Sequence, residues 1–363
     1  MSDITPYRPV EQLDEQQFGK LLQKHLSPAE PLQSVERLRG REEQLTDIRR
    51  ALYASGRHVF VHGYRGVGKT SLARTSAFQI QSADANPIIV GCTSHITFHQ
   101  LIRDILVEAV DQDPMQIKET LAASGGLKAF GLSGTASRQI ERGEVPVPES
   151  INDAVRMISL VQKIHSSAPV IVVDEFDTIS DHHQQQYFAD FIKQISDRHI
   201  NVKFICCGIG ETLEEIIKAH RSAHRYFHPI RLGRLGWEAR FEIIDNAAEQ
   251  LGIEVDTTSR IRVAMISDGF PHYVHLIAEK LFWNVFESNA TFRKNGALFE
   301  EALQAASDAM EPELKIPYET ATRKYRNDYE EILFAVADGH ELQRPSHEIY
   351  RSYFRIMESM GQE

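Results

Sequence analysis

Residues 63–71 read Gly63-Tyr64-Arg65-Gly66-Val67-Gly68-Lys69-Thr70-Ser71, which is the pattern G-x-x-x-x-G-K-T of a phosphate-binding loop. The preceding residues, 58–62, suit a short buried strand, and the residues from Thr70 to Phe78 suit a helix. A strand, loop and helix in this order direct backbone N–H groups and the positive end of the helix dipole at a polyphosphate. We therefore predict that residues 63–71 bind the phosphates of a nucleotide.

A second, acidic motif follows the apolar run of residues 170–173, where Asp174 and Glu175 come directly after four β-branched residues. Such a run is typical of a buried parallel strand, and nucleotide sites lie at the carboxyl ends of parallel strands. We expect Asp174 and the Thr70 hydroxyl to hold Mg²⁺, mostly through water. Lys69 should contact the β- and γ-phosphates, and Glu175 should polarise the attacking water. The two motifs together predict an α/β fold of the P-loop class.

Four further motifs, in the same chain order, resemble those of AAA+ and STAND ATPases. They are the "GRE" box at residues 38–45, a sensor-1-like strand at residues 204–210, an arginine segment at residues 220–225 and a "GxP" turn at residues 269–273. The resemblance covers roughly residues 35–310 and is nearest to the initiator group, which contains the origin-recognition and transposition-regulator ATPases.

The resemblance implies a parallel five-stranded sheet followed by an all-α lid, with ATP and Mg²⁺ as ligands. It also implies a homo-oligomer in which Arg225 acts on the ATP of a neighbouring subunit, with Arg221 as the alternative residue. The further residues that it places at the nucleotide are Arg39, Gly40 and Arg41 of the GRE box and Pro271 and His272 of the lid turn.

The chain departs from the initiator pattern at two places. Initiator-type lids carry an arginine after the turn that reaches the γ-phosphate, whereas this chain has His272. Either the γ-phosphate sensor is absent or His272 replaces it. The sensor-1 position is also open, because Glu211 and Thr212 both match the family poorly.

The turn- and loop-forming residues between the apolar runs predict four segments. They are an N-terminal arm at residues 1–33, a nucleotide domain at 34–235, a helical lid at 236–312 and a C-terminal segment at 313–363. The nucleotide domain contains an insertion at about 111–150, whose glycine-rich residues 125–134 suit a hairpin or loop. The C-terminal segment is either a truncated winged helix or a helical appendage.

Composition predicts a cytoplasmic protein. The 363-residue chain has three cysteines, no run of about 18 apolar residues and no signal-peptide pattern at its first residues. Its net charge of −11 argues against broad affinity for nucleic acid, although residues 218–240 contain six basic residues and one acid. Such a run predicts a contact with a phosphate backbone or a neighbouring subunit, or simply a solvated surface.

Three functions are compatible with these patterns. The favoured one is an ATP-hydrolysing AAA+-type switch, whose nucleotide state controls self-assembly and engagement of a partner protein or DNA. The second is a DNA-binding initiator or transposition regulator. The third is an ATP-binding scaffold without turnover, in which Glu175 has only a structural role.

Overall fold

A computed structural model describes residues 13–110, 138, 145–179, 181–209, 214, 223–288, 296–323, 329–338 and 344–359. The chain forms two compact units, Met1–Gly296 and Ala297–Glu363. In chain order, the elements are α1 (Glu15–His25), α2 (Glu42–Tyr53), β1 (His58–Gly63), α3 (Lys69–Ile80), β2 (Ile88–Gly91), α4 (Phe98–Ala109), α5 (Ile151–Ile164), β3 (Val170–Asp174), α6 (His182–Asp197), β4 (Lys203–Gly208), α7 (Ala223–Tyr226), β5 (Phe227–Leu232), α8 (Trp237–Leu251), α9 (Thr257–Ile266), α10 (Pro271–Ser288), α11 (Gly296–Arg323), α12 (Tyr329–Ala337) and α13 (Ser346–Ser359).

The first unit is built on a five-stranded sheet with the strand order β2-β3-β4-β1-β5. Neighbouring strands pair in parallel throughout, and Gly91 of β2 lies beside Asp174 of β3. This confirms the predicted α/β fold with a parallel five-stranded sheet. Because the strands are parallel, their carboxyl ends meet at one edge, and both nucleotide motifs begin there.

Each face of the sheet is covered by its own apolar core. The alternation of side chains along β4 directs Cys206 into one core and Cys207 into the other. Both cysteines are fully buried, as expected for packing residues on a central strand. The sheet is therefore a rigid platform that fixes the positions of the loops at its carboxyl edge.

Polar side chains mark the starts of several helices. Thr97 and Gln100 form a capping box before α4, and Asp14 and Gln17 form another before α1. Helix α3 is different, because it begins after Gly68 without a side-chain cap. Its first N–H groups thus have no capping side chain, as required of a helix that receives an anion.

Helix α1 packs on the helices that follow the sheet. The Phe18 ring stacks on Phe286 with a centroid distance of 4.3 Å and meets Trp283 edge-on at 4.9 Å. A Cβ at Gly19 would lie 3.4 Å from the same indole, at the edge of ordinary van der Waals contact, so the two helices pack closely here. Helix α1, which lies in the predicted N-terminal arm, is therefore docked on α10.

The second unit is helical in its described residues, which confirms the helical C-terminus. Helices α12 and α13 are joined by Arg344, whose Nη1 donates to the carbonyl oxygen of Ala335 at 2.8 Å. Helix α11 continues to Arg323, past residue 312, where the sequence predicts the end of the helical lid. The winged helix stays a prediction.

No helix among the described residues combines the length and the apolar character needed to cross a bilayer. The glycine-rich residues 125–134 and the sensor-1 candidates Glu211 and Thr212 lie outside the described residues.

Candidate nucleotide site

Three glycines determine the shape of the phosphate loop between β1 and α3. Gly66 and Gly68 have φ angles of 81° and 94°, in the left-handed region that side chains disfavour. At Gly63, a Cβ would lie 2.2 Å from the carbonyl oxygen of Leu232 on β5. The glycines of the motif are thus required by backbone conformation and by close packing against the sheet.

The loop lysine lies between the loop backbone and the acidic edge of the sheet. Its Nζ donates to the carbonyl oxygens of Gly63 at 3.1 Å and Tyr64 at 3.0 Å. Burial lowers the pKa of Lys69 from its ordinary value, and the carboxylates of Asp177 and Asp174 oppose that effect. Lys69 therefore carries its charge to the place where the two predicted motifs meet.

The two motifs are in direct contact. The Thr70 hydroxyl donates to Oδ1 of Asp174 at 3.1 Å, and the same oxygen accepts the backbone N–H of Glu175 at 3.0 Å. Asp174 is buried, whereas Glu175 is exposed and has a φ angle of 53°. A non-glycine residue in this region is strained, and such strain is concentrated at functional sites. The edge thus presents a hydroxyl, a fixed carboxylate and an accessible carboxylate side by side.

Arg41 of the GRE box ties the phosphate loop to the residue after β5. Its Nη2 donates to the carbonyl oxygens of Val67 at 3.1 Å and Gly233 at 2.7 Å. Burial lowers the pKa of Arg41 to about 10, with Glu42 opposing, so the guanidinium stays charged at neutral pH. Arg41 therefore lines the site and also holds the phosphate loop in place through these two hydrogen bonds.

A cavity of about 440 Å³ lies in front of the loop. The predicted residues that line it are Arg39, Arg41, Arg65, Gly66, Val67, Gly68, Lys69, Thr70, Ser71, Asp174, Glu175, Pro271 and His272. Gly63 and Tyr64 are not lining residues and instead supply the carbonyl oxygens that bind Lys69. Gly40 also lies outside the lining. It packs instead against α8, where a Cβ at Gly40 would be 2.4 Å from Cβ of Ala239.

Several lining residues were missed by the sequence analysis. They are residues 27–32 of the arm, Arg37 and Leu38, Asp177 and Thr178, Ile209, Leu235, Ile243 and His275. The one available signal was local, since Asp177 stands two residues after Glu175 in the acidic motif. Thr178 and Ile209 reach the cavity because they follow β3 and β4 at the carboxyl edge of the sheet, whereas residues 27–32, Ile243 and His275 reach it through the packing of helices around the sheet.

The lid turn brings His272 to the cavity from the opposite side. Gly269 has a φ angle of 77°, and a Cβ there would lie 2.7 Å from the carbonyl oxygen of Leu235. Pro271 begins α10, and Nδ1 of His272 donates to the carbonyl oxygen of Pro28 at 2.8 Å. His272 is therefore hydrogen-bonded to the arm.

The described part of the arginine segment, residues 223–225, does not line the cavity. Arg225 is exposed on the short helix α7 and does not line the cavity, and Arg221 lies outside the described residues. Two other members of the basic run are engaged within the chain. Arg234 pairs with Asp268, and Arg240 lies 4.4 Å from the ring centroid of Trp237. In its described part, the run does not form a single open basic surface.

The parallel sheet, the glycine-shaped loop and the acidic strand end define a P-loop domain of the AAA+ type. Residues 37–205 match the family described as the AAA ATPase domain, which confirms the resemblance stated from the sequence. Residues 37–205 therefore form a P-loop domain that is similar to the AAA ATPase domain family.

Solved structures with the same fold include members of the predicted initiator group. The Walker-type ATPase paby2304 of Pyrococcus abyssi has 16% sequence identity and a TM-score of 0.58, with 92% of each chain covered. The ORC1 protein of Aeropyrum pernix, solved in complex with DNA, has 14% identity and a TM-score of 0.50, with 90% of this chain and 79% of that chain covered. The ORC2 protein of Aeropyrum pernix, in ADPNP and ADP complexes, has 11% identity and a TM-score of 0.52, with 76% and 70% covered. No curated protein matches the sequence significantly.

Proposed function

We propose that this protein binds ATP together with Mg²⁺ and hydrolyses it to ADP and phosphate. The observation that carries the proposal is the meeting of Lys69, Thr70, Asp174 and Glu175 at one edge of the sheet, with Thr70 Oγ1 and Asp174 Oδ1 3.1 Å apart. Chain segments that are far apart in the sequence converge there beside a helix N-terminus.

The oxygen atoms at this edge fit a magnesium ion. Mg²⁺ prefers oxygen ligands and retains several of its waters, so the Thr70 hydroxyl and the Asp174 carboxylate are a suitable pair. Mg²⁺ supplies positive charge that neutralises the phosphates. Lys69 adds a second positive charge, and the loop N–H groups orient the phosphates.

Glu175 is the residue that we assign to the proton of the attacking water. Its carboxylate lines the cavity and is exposed, whereas Asp174 is held by hydrogen bonds to Thr70 and to the Glu175 N–H. A positioned carboxylate that accepts a proton contributes roughly 10²- to 10⁴-fold to a rate.

Phosphate release by the Glu175→Gln variant tests this assignment. We expect hydrolysis to fall roughly 100-fold or more while ATP affinity stays close to wild type, because the amide keeps the size but loses the basic oxygen. Glu36→Gln is the matched control, since Glu36 is exposed and does not line the cavity. Wild-type turnover in Glu175→Gln would show that this residue is not the base, and no turnover by the wild-type protein would favour an ATP-binding scaffold.

We further propose that the enzyme is completed by self-association. Arg225 is exposed and lies outside its own chain's cavity, so it can serve ATP only across a subunit boundary. An arginine supplied in this way is worth about 10³-fold or more in rate. We expect ATP to promote self-association and Arg225→Ala to lose turnover without losing ATP affinity.

A mixing experiment tests the transfer between subunits directly. At an ATP concentration that saturates only the wild-type site, Lys69→Ala stays largely unloaded but keeps Arg225, whereas Arg225→Ala binds ATP and lacks the arginine. Each variant should be inactive alone, and mixing them should restore part of the turnover. Arg50→Ala, which removes an exposed arginine of α2, should behave as wild type. Failure of the mixture to recover activity, or full wild-type activity at high dilution, would contradict an arginine in trans.

Engagement of DNA is the second proposed function, and the DNA complex of the structurally similar ORC1 protein is the observation that favours it. The net charge of −11 and the internal contacts of Arg234 and Arg240 oppose it. We therefore expect weak, ATP-dependent and sequence-independent binding at most. A mobility-shift titration at low salt decides the matter, because tight binding without nucleotide would reverse this expectation. If the protein does not bind DNA, we propose that its nucleotide state controls the engagement of a partner protein.

A further inference from the structure

Residues 27–32, which we call the strap, form one wall of the nucleotide cavity. Ser27, Pro28, Ala29 and Glu30 also line a second cavity of about 470 Å³, between α1 and α10. The same four residues thus separate two cavities, so the strap is a single layer of chain. No regular secondary structure reinforces it, and Ala29 and Glu30 are exposed.

One end of the strap is held by the helix that begins at the phosphate loop. The backbone N–H of Leu32 donates to the Ser71 hydroxyl at 3.1 Å, and the Thr75 hydroxyl donates to the carbonyl oxygen of Leu32 at 3.3 Å. Leu32 itself is buried in the core beneath α3. Single hydrogen bonds to Ser71 and from Thr75 therefore fasten this end of the strap to α3.

The other end of the strap is held by α10. His272 donates from Nδ1 to the carbonyl oxygen of Pro28 at 2.8 Å, and the Ser27 N–H donates to Nδ1 of His275 at 3.4 Å. The second contact requires a neutral imidazole, because a protonated ring nitrogen cannot accept. Arg37 adds a hydrogen bond from its guanidinium to the Ser27 hydroxyl. These hydrogen bonds therefore fasten the other end of the strap, and α1 is docked on the same helix α10.

We propose that the strap is a gate for nucleotide exchange, which opens when α1 and α10 move away from the phosphate loop. The strap lies between anchors on two elements, and the second cavity gives it space on the side away from the nucleotide. Opening breaks the single hydrogen bonds at the two ends of the strap and disturbs no strand of the sheet. The proposal rests on the nucleotide binding proposed above and goes beyond it by naming the segment that controls exchange.

Thr75→Val tests the gate without touching the nucleotide, because Thr75 is buried and does not line the cavity. A neutral hydrogen bond contributes enough free energy that its loss should raise the open population roughly 2- to 10-fold. Stopped-flow mixing with fluorescent ADP and ATP analogues should show association and dissociation accelerating together, with a Kd within about twofold of wild type. Simultaneous acceleration is the signature of a gate, because both directions pass through the open state.

Two variants on the same helix serve as controls. Thr75→Ser keeps the hydroxyl and should restore wild-type rates. Ser76→Ala removes a buried hydroxyl for which the described residues provide no hydrogen-bond partner, and it should leave exchange unchanged. Unchanged rates in a folded Thr75→Val protein, or faster dissociation with unchanged association, would overturn the gate. Absence of analogue binding by the wild-type protein would instead refute the proposed function.

Hydrogen exchange in the wild-type protein provides a test that needs no substitution. The amides of Ser27 and Leu32 are hydrogen-bonded in the closed strap, so they exchange only when it opens. In the ADP complex, we expect their opening rate to match or exceed the rate of ADP release. Release that is faster than the opening of these amides would show that nucleotide leaves by another route.

Discussion

The two walls of the nucleotide cavity are built in different ways. The phosphate wall consists of residues 66–71 with Asp174 and Glu175, and its members lie at the carboxyl ends of adjacent parts of one sheet. The strap wall consists of residues 27–32 with Arg37, His272 and His275, and its contact between His272 and Pro28 joins residues 244 positions apart. The phosphate wall is part of the sheet platform, whereas the strap wall is formed by the packing of helices.

Because of this difference, we expect the phosphate wall to determine how tightly the nucleotide binds and the strap wall to determine how fast it enters and leaves. The phosphate wall has the glycines, the lysine and the carboxylates, each held by backbone geometry or by hydrogen bonds to the sheet. The strap wall has single hydrogen bonds between movable elements, so its disruption should alter the rate of exchange more than the affinity. Three predictions sharpen or break this contrast.

The largest effect on affinity should come from the phosphate wall. Lys69→Ala removes the charge that offsets the triphosphate, and we expect ATP affinity to fall about 100-fold, as for a lost hydrogen bond to a charged group. Arg37→Met, the corresponding loss of a cation from the strap wall, should cost only a few-fold. Calorimetric titration with ATP measures both, and an equal loss in the two variants would end the distinction between the walls.

The second effect is on pH-dependent stability. Burial, with smaller contributions from Arg37 and His272, lowers the pKa of His275 to about 4, whereas an unfolded histidine titrates near 6.5. Between these values the unfolded state binds more protons than the native state, so the stability present above pH 6.5 is lost as the pH falls towards 4. We expect His275 to account for about 2 kcal/mol of lost stability between pH 7 and pH 5.

A histidine outside the cavity provides the comparison. Burial lowers the pKa of His58 to about 3, so it should contribute a similar acid dependence from the start of β1. In urea unfolding, His275→Phe and His58→Phe should each reduce the slope of the unfolding free energy against pH, by an amount that corresponds to about one bound proton. Only His275→Phe should also accelerate nucleotide exchange. Acceleration by His58→Phe would indicate general loosening and not a strap effect.

The smallest effect concerns the metal. Chelation of Mg²⁺ should weaken ATP binding by the wild-type protein, because the ion no longer neutralises the charge of the phosphates. Asp174→Asn should reduce this dependence, because it removes the carboxylate beside Thr70. Thr75→Val, which acts on the strap, should keep the full dependence on Mg²⁺. Equal sensitivity to chelation in Asp174→Asn and wild type would remove Asp174 from the metal site.

The sequence predicted the phosphate wall because local physics enforces it. Gly66 and Gly68 are needed for left-handed backbone, and Gly63 is needed for the approach of β5, so these positions leave a readable pattern. The apolar strand before Asp174 is equally readable, because a strand buried on both faces excludes polar residues. The role of Arg41 was only partly anticipated, since its bonds to Val67 and Gly233 depend on the positions of two distant loops.

What the sequence by itself determined, then, is the P-loop fold, the parallel sheet and the convergence of Lys69, Thr70, Asp174 and Glu175. Short motifs suffice there because strand ends in a parallel sheet must meet. Only the tertiary structure decided that the arm crosses the cavity as a strap. Its position results from the docking of Phe18 between rings of α10, and no local pattern specifies a contact between residues so far apart in the chain.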